Sequence, residues 1–152
     1  MSTQSVRQTL YRCLLAFTLI SCCVMGSVAL AATPAYAGDF VPLKGRFAGA
    51  GADFSGNFTH LGKFQGVADL VASTAIWTAA NGDTITNQTT AFVLVEEVSL
   101  GVFRYEQTLV ITGGTGRFAN ATGSATVTGL INVVTGAYDG KLTGTISRPN
   151  RN

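Results

Sequence analysis

Cysteine and histidine are scarce in this 152-residue chain, and each shortage excludes a class of chemistry. The three cysteines, Cys13, Cys22 and Cys23, all lie near the N-terminus. The rest of the chain therefore has no disulfide, no thiolate nucleophile and no cysteine-bound metal. The single histidine, His60, cannot form a histidine metal cluster, and a triad around it would have to recruit carboxylates. We interpret it as a satisfied polar residue at a strand end, and we predict neither a metal nor a cofactor.

Helical periodicity is also lacking beyond the N-terminal segment. No window there keeps apolar residues at the three- and four-residue spacing of an amphipathic helix. Threonine, valine, isoleucine, phenylalanine and tyrosine are plentiful instead, and glycine, with 18 copies in the chain, recurs every few residues. This composition is typical of strands, so the sequence predicts an all-β fold without crossover helices.

The N-terminal segment has the features of a signal peptide. Arg7 and Arg12 provide the positive region, residues 13–30 are almost uncharged and apolar, and an A-x-A triplet ends at Ala37. An earlier triplet that ends at Ala31 offers a second cleavage site. We predict that residues 1–37 are removed and that residues 38–152 form a single exported domain, periplasmic or extracellular.

Two alternatives to removal remain open. The apolar run approaches the length of a transmembrane helix, so it could be retained as an anchor. Residues 19–22 also resemble the lipobox of bacterial lipoproteins, in which Cys22 would be acylated. The residues that follow Cys22 stay apolar, whereas a lipoprotein usually turns polar there, and we therefore favour cleavage.

Charge is balanced after the predicted cleavage. Two of the ten basic residues, Arg7 and Arg12, precede Gly38, whereas all eight acidic residues follow it. Eight basic and eight acidic residues then cancel, and the basic ones are scattered. Because nucleic-acid binding needs a clustered basic surface, we expect no nucleic acid as a partner and no attachment to a membrane after the signal is removed.

Eight short strands account for the mature chain. Asn81-Gly82 lies between two of them and predicts a hairpin with a type I′ turn. Residues 96–101, which begin with two glutamates, are predicted as a connection. The predicted strands are 43–49, 54–60, 63–71, 74–79, 84–95, 102–112, 124–134 and 138–146.

Eight strands joined by hairpin-length turns form an antiparallel sheet that must close or pack on a second sheet. Glycines within strands, such as Gly45, Gly56 and Gly140, permit sharp coiling. They favour a small eight-stranded barrel over a sandwich. Its interior should be apolar and aromatic, either packed or holding one small ligand.

A glycine-rich stretch at 113–123 invites a phosphate-binding interpretation. Residues 114–119 match G-x-G-x-x-A, and Asp139 follows twenty residues later. A dinucleotide site requires a helix after the glycines, whereas the sequence continues as a strand. We therefore predict a barrel connection, in which Phe118 plugs one end. Arg117 is interpreted as bonding loop carbonyls, with an anionic ligand as the alternative.

The same stretch carries a family resemblance. Gly113-Gly114-Thr115-Gly116-Arg117-Phe118 resembles the GGTG-x-F element of the allene oxide cyclase and dirigent barrels. Together with segments 59–64 and 77–83, it is more similar still to a group of small exported bacterial proteins of undetermined function. The resemblance implies a calycin-like eight-stranded barrel with a central cavity. It also implies a homo-oligomer, trimeric in many plant members, with a dimer as the other assembly considered.

Two functions from different classes remain. The first is a non-enzymatic binding or interaction module for a small hydrophobic ligand. The second is a cofactor-independent cyclase or isomerase of the allene oxide cyclase type, and it requires the charged pair Arg104 and Glu106 to face inward. The aromatic row on the opposite face of the strand favours an exterior position instead, where the two would form a solvated pair. The facing of Glu106 separates the two. The candidate ligand contacts are Trp77, Tyr105, Tyr138 and Arg117.

Overall fold

The computed structural model describes residues 39–149, which form an all-β closed barrel of eight antiparallel strands. The predicted signal peptide and its alternatives lie outside the described residues. A single turn of 3-10 helix, Gly116–Phe118, interrupts the strands. The strands are β1 (Phe40–Ala50), β2 (Asp53–Phe58), β3 (Gly62–Asp69), β4 (Thr74–Ala79), β5 (Thr84–Ser99), β6 (Val102–Gly114), β7 (Gly123–Asn132) and β8 (Ala137–Ser147).

Each strand pairs with the next in the chain, and β8 returns to β1 along its whole length, from Phe40↔Ser147 to Ala50↔Ala137. Short turns join the strands, so neighbours in sequence are neighbours in the sheet. The prediction of a barrel rather than a sandwich is confirmed.

The β4–β5 hairpin forms where Asn81-Gly82 predicts it, but the turn type is different. Gly82 has φ +86°, whereas Asn81 is not among the residues with positive φ. The Gly82 N–H donates to the Ala79 carbonyl at 2.9 Å, and the Ala79 N–H donates to the Asp83 carbonyl at 2.9 Å. A longer connection with one left-handed glycine replaces the type I′ turn, which requires positive φ at both central positions.

β5 is longer than the sequence indicates. Residues 96–101 were expected to connect two strands, whereas β5 continues to Ser99 and the turn is confined to Leu100 and Gly101. The expectation is wrong because the two glutamates point into solvent from a strand and do not end it. Glu96 forms an ion pair with Arg104 of β6 at 3.0 Å, and bulges absorb the changed register.

Aromatic rings fill the barrel interior, and the inward glycines make room for them. A Cβ on Gly66 would overlap the Phe54 ring, and one on Gly140 would lie 2.8 Å from atoms of Phe47 and Tyr105. The rings that occupy the space beside these glycines pack against one another; they are Phe47, Phe54, Phe58 and Phe64. The largest fully buried side chains are Phe58, Phe118, Leu43, Ile85, Leu142, Ile146 and Val127.

Candidate functional site

The glycine-rich connection between β6 and β7 closes one end of the barrel. Gly116 adopts φ +57° and Asn120 adopts φ +60°, which lets the chain reverse within a few residues. The Phe118 side chain, only 1% exposed, joins the core from this connection. The expected continuation as a strand is confirmed, because β7 begins at Gly123.

Arg117 is occupied by loop contacts at this closed end. Its Nε donates to the Asp83 carboxylate at 3.0 Å, and one terminal nitrogen donates to the His60 carbonyl at 3.3 Å. The guanidinium also lies 5.4 Å from the centre of the Phe118 ring. These contacts match the loop-bonding interpretation of Arg117.

Asp83 is the carboxylate that holds Arg117 in place. A hydrogen bond from Asn81 and one from Arg117 lower the pKa of the Asp83 carboxyl below its ordinary value. The hydrogen bond between Arg117 and Asp83 links the glycine-rich connection to the β4–β5 hairpin turn, since Arg117 belongs to the first and Asp83 to the second. It gives this end of the barrel a dependence on pH.

Because the folded protein lowers the pKa of Asp83, the charged form stabilises the fold above about 3.8, the ordinary value. We expect this stabilisation to be lost as the pH falls from there through the lowered pKa. Urea unfolding of the wild type and of Asp83→Asn should therefore differ at neutral pH and converge in acid. Glu106→Gln, on the exposed outer face, is the control; a difference that persists in acid would contradict the assignment.

Arg104 and Glu106 do not form a couple inside the barrel. Arg104 pairs with Glu96 instead, and both side chains of that pair are 55% exposed. Glu106 is exposed on the same outer face. An exposed ion pair contributes little stability, and neither side chain faces the aromatic interior.

Polar residues of β1 and β8 line a hollow on the outer wall of the barrel, not in its interior. It measures about 480 Å³ and is open to solvent. Side chains of both charges line it, including Arg46, Asp139 and Lys141. These residues alternate with inward ones on β1 and β8, so the hollow is a solvated exterior surface and not an enclosed pocket.

The barrel wall is incomplete beside β5. The last residue pair between β4 and β5 is Thr74↔Gln88, and the Thr89 N–H then donates to the Ser73 carbonyl at 2.8 Å. From Thr90 to Ser99, β5 continues with β6 on one side only. We call this ten-residue stretch the free β5 edge.

The central part of the free β5 edge, residues 91–95, is apolar on both faces. Among the residues described, thirteen large hydrophobic side chains are exposed, and six of them fall within 92–100. No charged residue or proline interrupts positions 90–95. Scattered exposed hydrophobic residues are ordinary, whereas a contiguous patch marks an interaction surface. The six are Phe92, Val93, Leu94, Val95, Val98 and Leu100.

One of the predicted ligand contacts, Tyr105, lies on the inner side of this surface. Phe92 stacks on Tyr105, with ring centres 5.3 Å apart. Burial, and the nearby charges of Asp139 and Tyr138, raise the pKa of Tyr105 far above its usual value. Burial and Asp53 likewise raise the pKa of Tyr138. Both phenols are therefore neutral at physiological pH and act as apolar rings with a polar tip.

Trp77 and Arg117, the other two predicted contacts, lie in the closed part of the barrel. Trp77 is 3% exposed and packs edge-on against Phe58 at 4.9 Å. The structure therefore brings Tyr105 and Tyr138 together, through Phe47 and the neighbouring strands, but leaves Trp77 in the core. The free β5 edge was not predicted as a site, although the wholly apolar run 91–95, which breaks strand alternation, was its signal in the sequence.

The fold and this surface define a closed antiparallel barrel with one extended, unpaired strand segment. Comparison with protein-family models, curated proteins and solved structures gives no match, so the family resemblance rests on the sequence motifs alone. Within residues 39–149, no group of three or more metal-ligating side chains is placed to hold an ion. The same residues contain no helix long and apolar enough to cross a membrane.

Proposed function

We propose that this protein is a non-enzymatic interaction module that binds an extended polypeptide along the free β5 edge. The observation that carries the proposal is the combination, on residues 90–99, of an unpaired strand edge with apolar side chains on both faces. Strand addition uses both features: backbone hydrogen bonds supply affinity, and side chains on alternate positions supply specificity.

The absence of charge and of proline from positions 90–95 supports a partner over permanent exposure of the edge. Natural proteins protect free edges with lysine, proline, bulges or short strands. The free end of β1 beyond its pairing with β2 follows this rule, since it is short and carries Pro42. β5 has bulges, but positions 90–95 carry neither a charge nor a proline. A covering strand would remove this liability.

The proposal extends to family and location. The closure of eight antiparallel strands, with the 113–118 element as a barrel connection, supports membership of the allene oxide cyclase and dirigent-like group. The A-x-A triplets support export to the periplasm or beyond, with cleavage after Ala37 or Ala31. Acylation at Cys22 is the alternative.

A small hydrophobic ligand is the second candidate occupant. It is favoured by the inner side of the free β5 edge, where Phe92 covers Tyr105, and by Tyr138, which is only partly buried in the aromatic interior. The cyclase alternative requires an ionisable group among these rings. Because Arg104 and Glu106 face solvent, the geometry does not support it in that form.

A labelled peptide of alternating threonine and valine, about as long as the free edge and flanked by lysines, tests strand binding. We expect its fluorescence anisotropy to rise on titration with the protein, and a matched peptide with a central proline to bind at least about tenfold more weakly, because proline removes a ladder hydrogen bond. Equal binding of the two peptides would contradict strand addition.

Anilinonaphthalene sulfonate, an apolar dye, distinguishes the second candidate in the same assay. Dye fluorescence that depends on Tyr138, and is lost in Tyr138→Ala, would favour a small ligand if the peptide does not bind. Ile76→Ala, which removes an exposed side chain from the outer face of β4, is the matched control for nonspecific dye binding.

A further inference from the structure

We infer that the segment that covers the free β5 edge is the same segment of a second copy, in a two-fold symmetric antiparallel pair centred on Val93. The inference rests on the proposed function, since it names the partner for the strand-binding surface. The pair would join two barrels through one continuous sheet. In that sheet, β6 and β5 of one copy would be followed by β5 and β6 of the second copy.

The unpaired backbone of the free β5 edge determines which kind of partner can cover it. Ten residues of free edge extend over roughly 34 Å at about 3.4 Å per residue. Bulges flank the regular stretch 91–94, and an extended strand matches the donors and acceptors of that stretch. Within residues 39–149, no other strand offers a free edge of comparable length and apolar composition. Among the strands of residues 39–149 the best complement is therefore β5, and a two-fold axis makes the same patch serve on both sides.

Side-chain facing sets the register. Phe92 pairs with Gln107 and Leu94 pairs with Tyr105, so both point to the inner side, whereas Val93 pairs with Glu106 and points outward. Residues opposite one another in an antiparallel pair share a face. Centring on Val93 satisfies this rule, because Phe92 then meets Leu94 of the second copy and Val93 meets its own equivalent.

Charge favours the antiparallel arrangement. In this register Glu96 lies opposite Thr90 of the second copy, and the two Glu96 positions are six residues apart along the pair, about 20 Å. That separation exceeds the Debye length of about 8 Å at physiological ionic strength, so their repulsion is screened. A parallel pair would place the two glutamates side by side, and like charges directly opposite destabilise a sheet. Arg104 further neutralises Glu96 at 3.0 Å.

The ends of the segment also find apolar partners. The turn between β3 and β4 borders the free edge, since the Ser73 carbonyl accepts from Thr89, and it exposes Leu70 (66%) and Val71 (91%). In the proposed register residues 90–96 of each copy pair with one another, because the Thr89 N–H already donates to Ser73, and the residues after 96 of the second copy extend towards this turn. Val98 and Leu100 of that copy therefore approach the turn, and exposed apolar surface on each copy is covered by the other.

The test is the oligomeric state of the full chain, expressed with its own leader in its own host and measured by sedimentation and native mass spectrometry. We expect a dimer. Val93→Lys should raise the dimer dissociation constant at least about tenfold, because it places two lysines at the two-fold axis. Val67→Lys is the matched control: Val67 is 58% exposed and Val93 is 55% exposed, but Val67 lies on β3, away from the edge, and should leave the dimer intact.

Disulfide trapping checks the register independently. Facing residues of an antiparallel pair have Cα atoms about 4.5–5.5 Å apart, within the reach of a disulfide. Val93→Cys should therefore form a covalent dimer on mild oxidation, whereas Val67→Cys should not. Unchanged circular dichroism and thermal unfolding of the Val93 variants would show that the barrel itself is intact.

A monomeric wild type, or a dimer that Val93→Lys and Val93→Cys leave unaffected, would overturn the inference. In either case, binding of the threonine-valine peptide would still support strand addition, with a different protein as the occupant. If the dimer depends on Val93 while the peptide does not bind, the inference stands, since the second copy occupies the edge. A monomeric wild type that does not bind the peptide would contradict both the inference and strand addition.

Discussion

Replacing Phe118 with alanine should lower the free energy of unfolding by about 3–5 kcal/mol, the range for truncating a buried aromatic ring. The Phe118 side chain is 1% exposed and comes from the connection between β6 and β7, not from a strand. The Phe118 Cβ lies close to the backbone of Gly114, so the surrounding chain has little freedom to move into the cavity that loss of the ring would leave. The variant should also loosen Arg117, whose guanidinium lies over the same ring.

Urea unfolding measures this loss of stability, and two further variants serve as comparisons. Phe118→Leu keeps most of the buried volume and should cost clearly less than the alanine variant. Phe40→Ala removes the same ring from a side chain that is 51% exposed and should change stability little. A loss from Phe118→Ala as small as that from Phe40→Ala would show that the ring does not plug the barrel.

Replacing Gly116 with alanine should produce the second large effect, because two penalties combine there. Gly116 has φ +57°, and a side chain in that left-handed conformation costs roughly 1–2 kcal/mol. A Cβ at this position would also overlap the Asp83 carboxylate. Asp83 must then move away from Arg117, so the ion pair between the hairpin turn and the glycine-rich connection is lost as well.

Gly82→Ala separates the two penalties. Gly82 also has positive φ, at +86°, but nothing lies within 4 Å of where its Cβ would stand. Thermal unfolding should therefore show a moderate decrease in Tm for Gly82→Ala and a clearly larger one for Gly116→Ala. Equal decreases would mean that contact with Asp83 adds nothing.

Phe118→Ala and Gly116→Ala both test the structural role of the glycine-rich stretch. Its resemblance to a phosphate-binding fingerprint is a matter of spacing, because the glycines open a turn that returns to a strand and not a helix. Arg117 is held by Asp83 and by the His60 carbonyl. The stretch closes one end of the barrel, and the surface proposed for binding lies on another part of the wall.

Strand alternation explains how much of the fold could be predicted. On β6, Tyr105, Leu109 and Ile111 alternate with polar residues, and the structure buries all three. The pattern shows that the two faces differ, and apolar rings point to the buried one. It fails on β5, where 91–95 is apolar at every position, because both faces lie beyond the β4 pairing.

The candidate site was only partly predictable for the same reason. Tyr105 and Tyr138 are aromatic residues on inward faces; Tyr105 stacks on Phe92 of the free β5 edge, and Tyr138 packs on Phe47 of β1. Trp77 satisfies the same criterion, and both it and Tyr105 are 3% exposed members of the core; Tyr105 also stacks on Phe92 of the edge, whereas Trp77 packs on Phe58. Side-chain type and period cannot distinguish a ring in the core from one beside an opening, since that depends on which neighbouring strand ends first.

The sequence by itself determined the all-β class, the eight strands, the absence of cysteine chemistry beyond residue 23 and the glycine-rich connection, because strand period and turn residues are local properties. Only the tertiary structure decided that the sheet closes and that β5 extends beyond β4. The last follows from a mismatch of lengths: β4 has 6 residues and β5 has 16, and the excess has no partner until another strand supplies one.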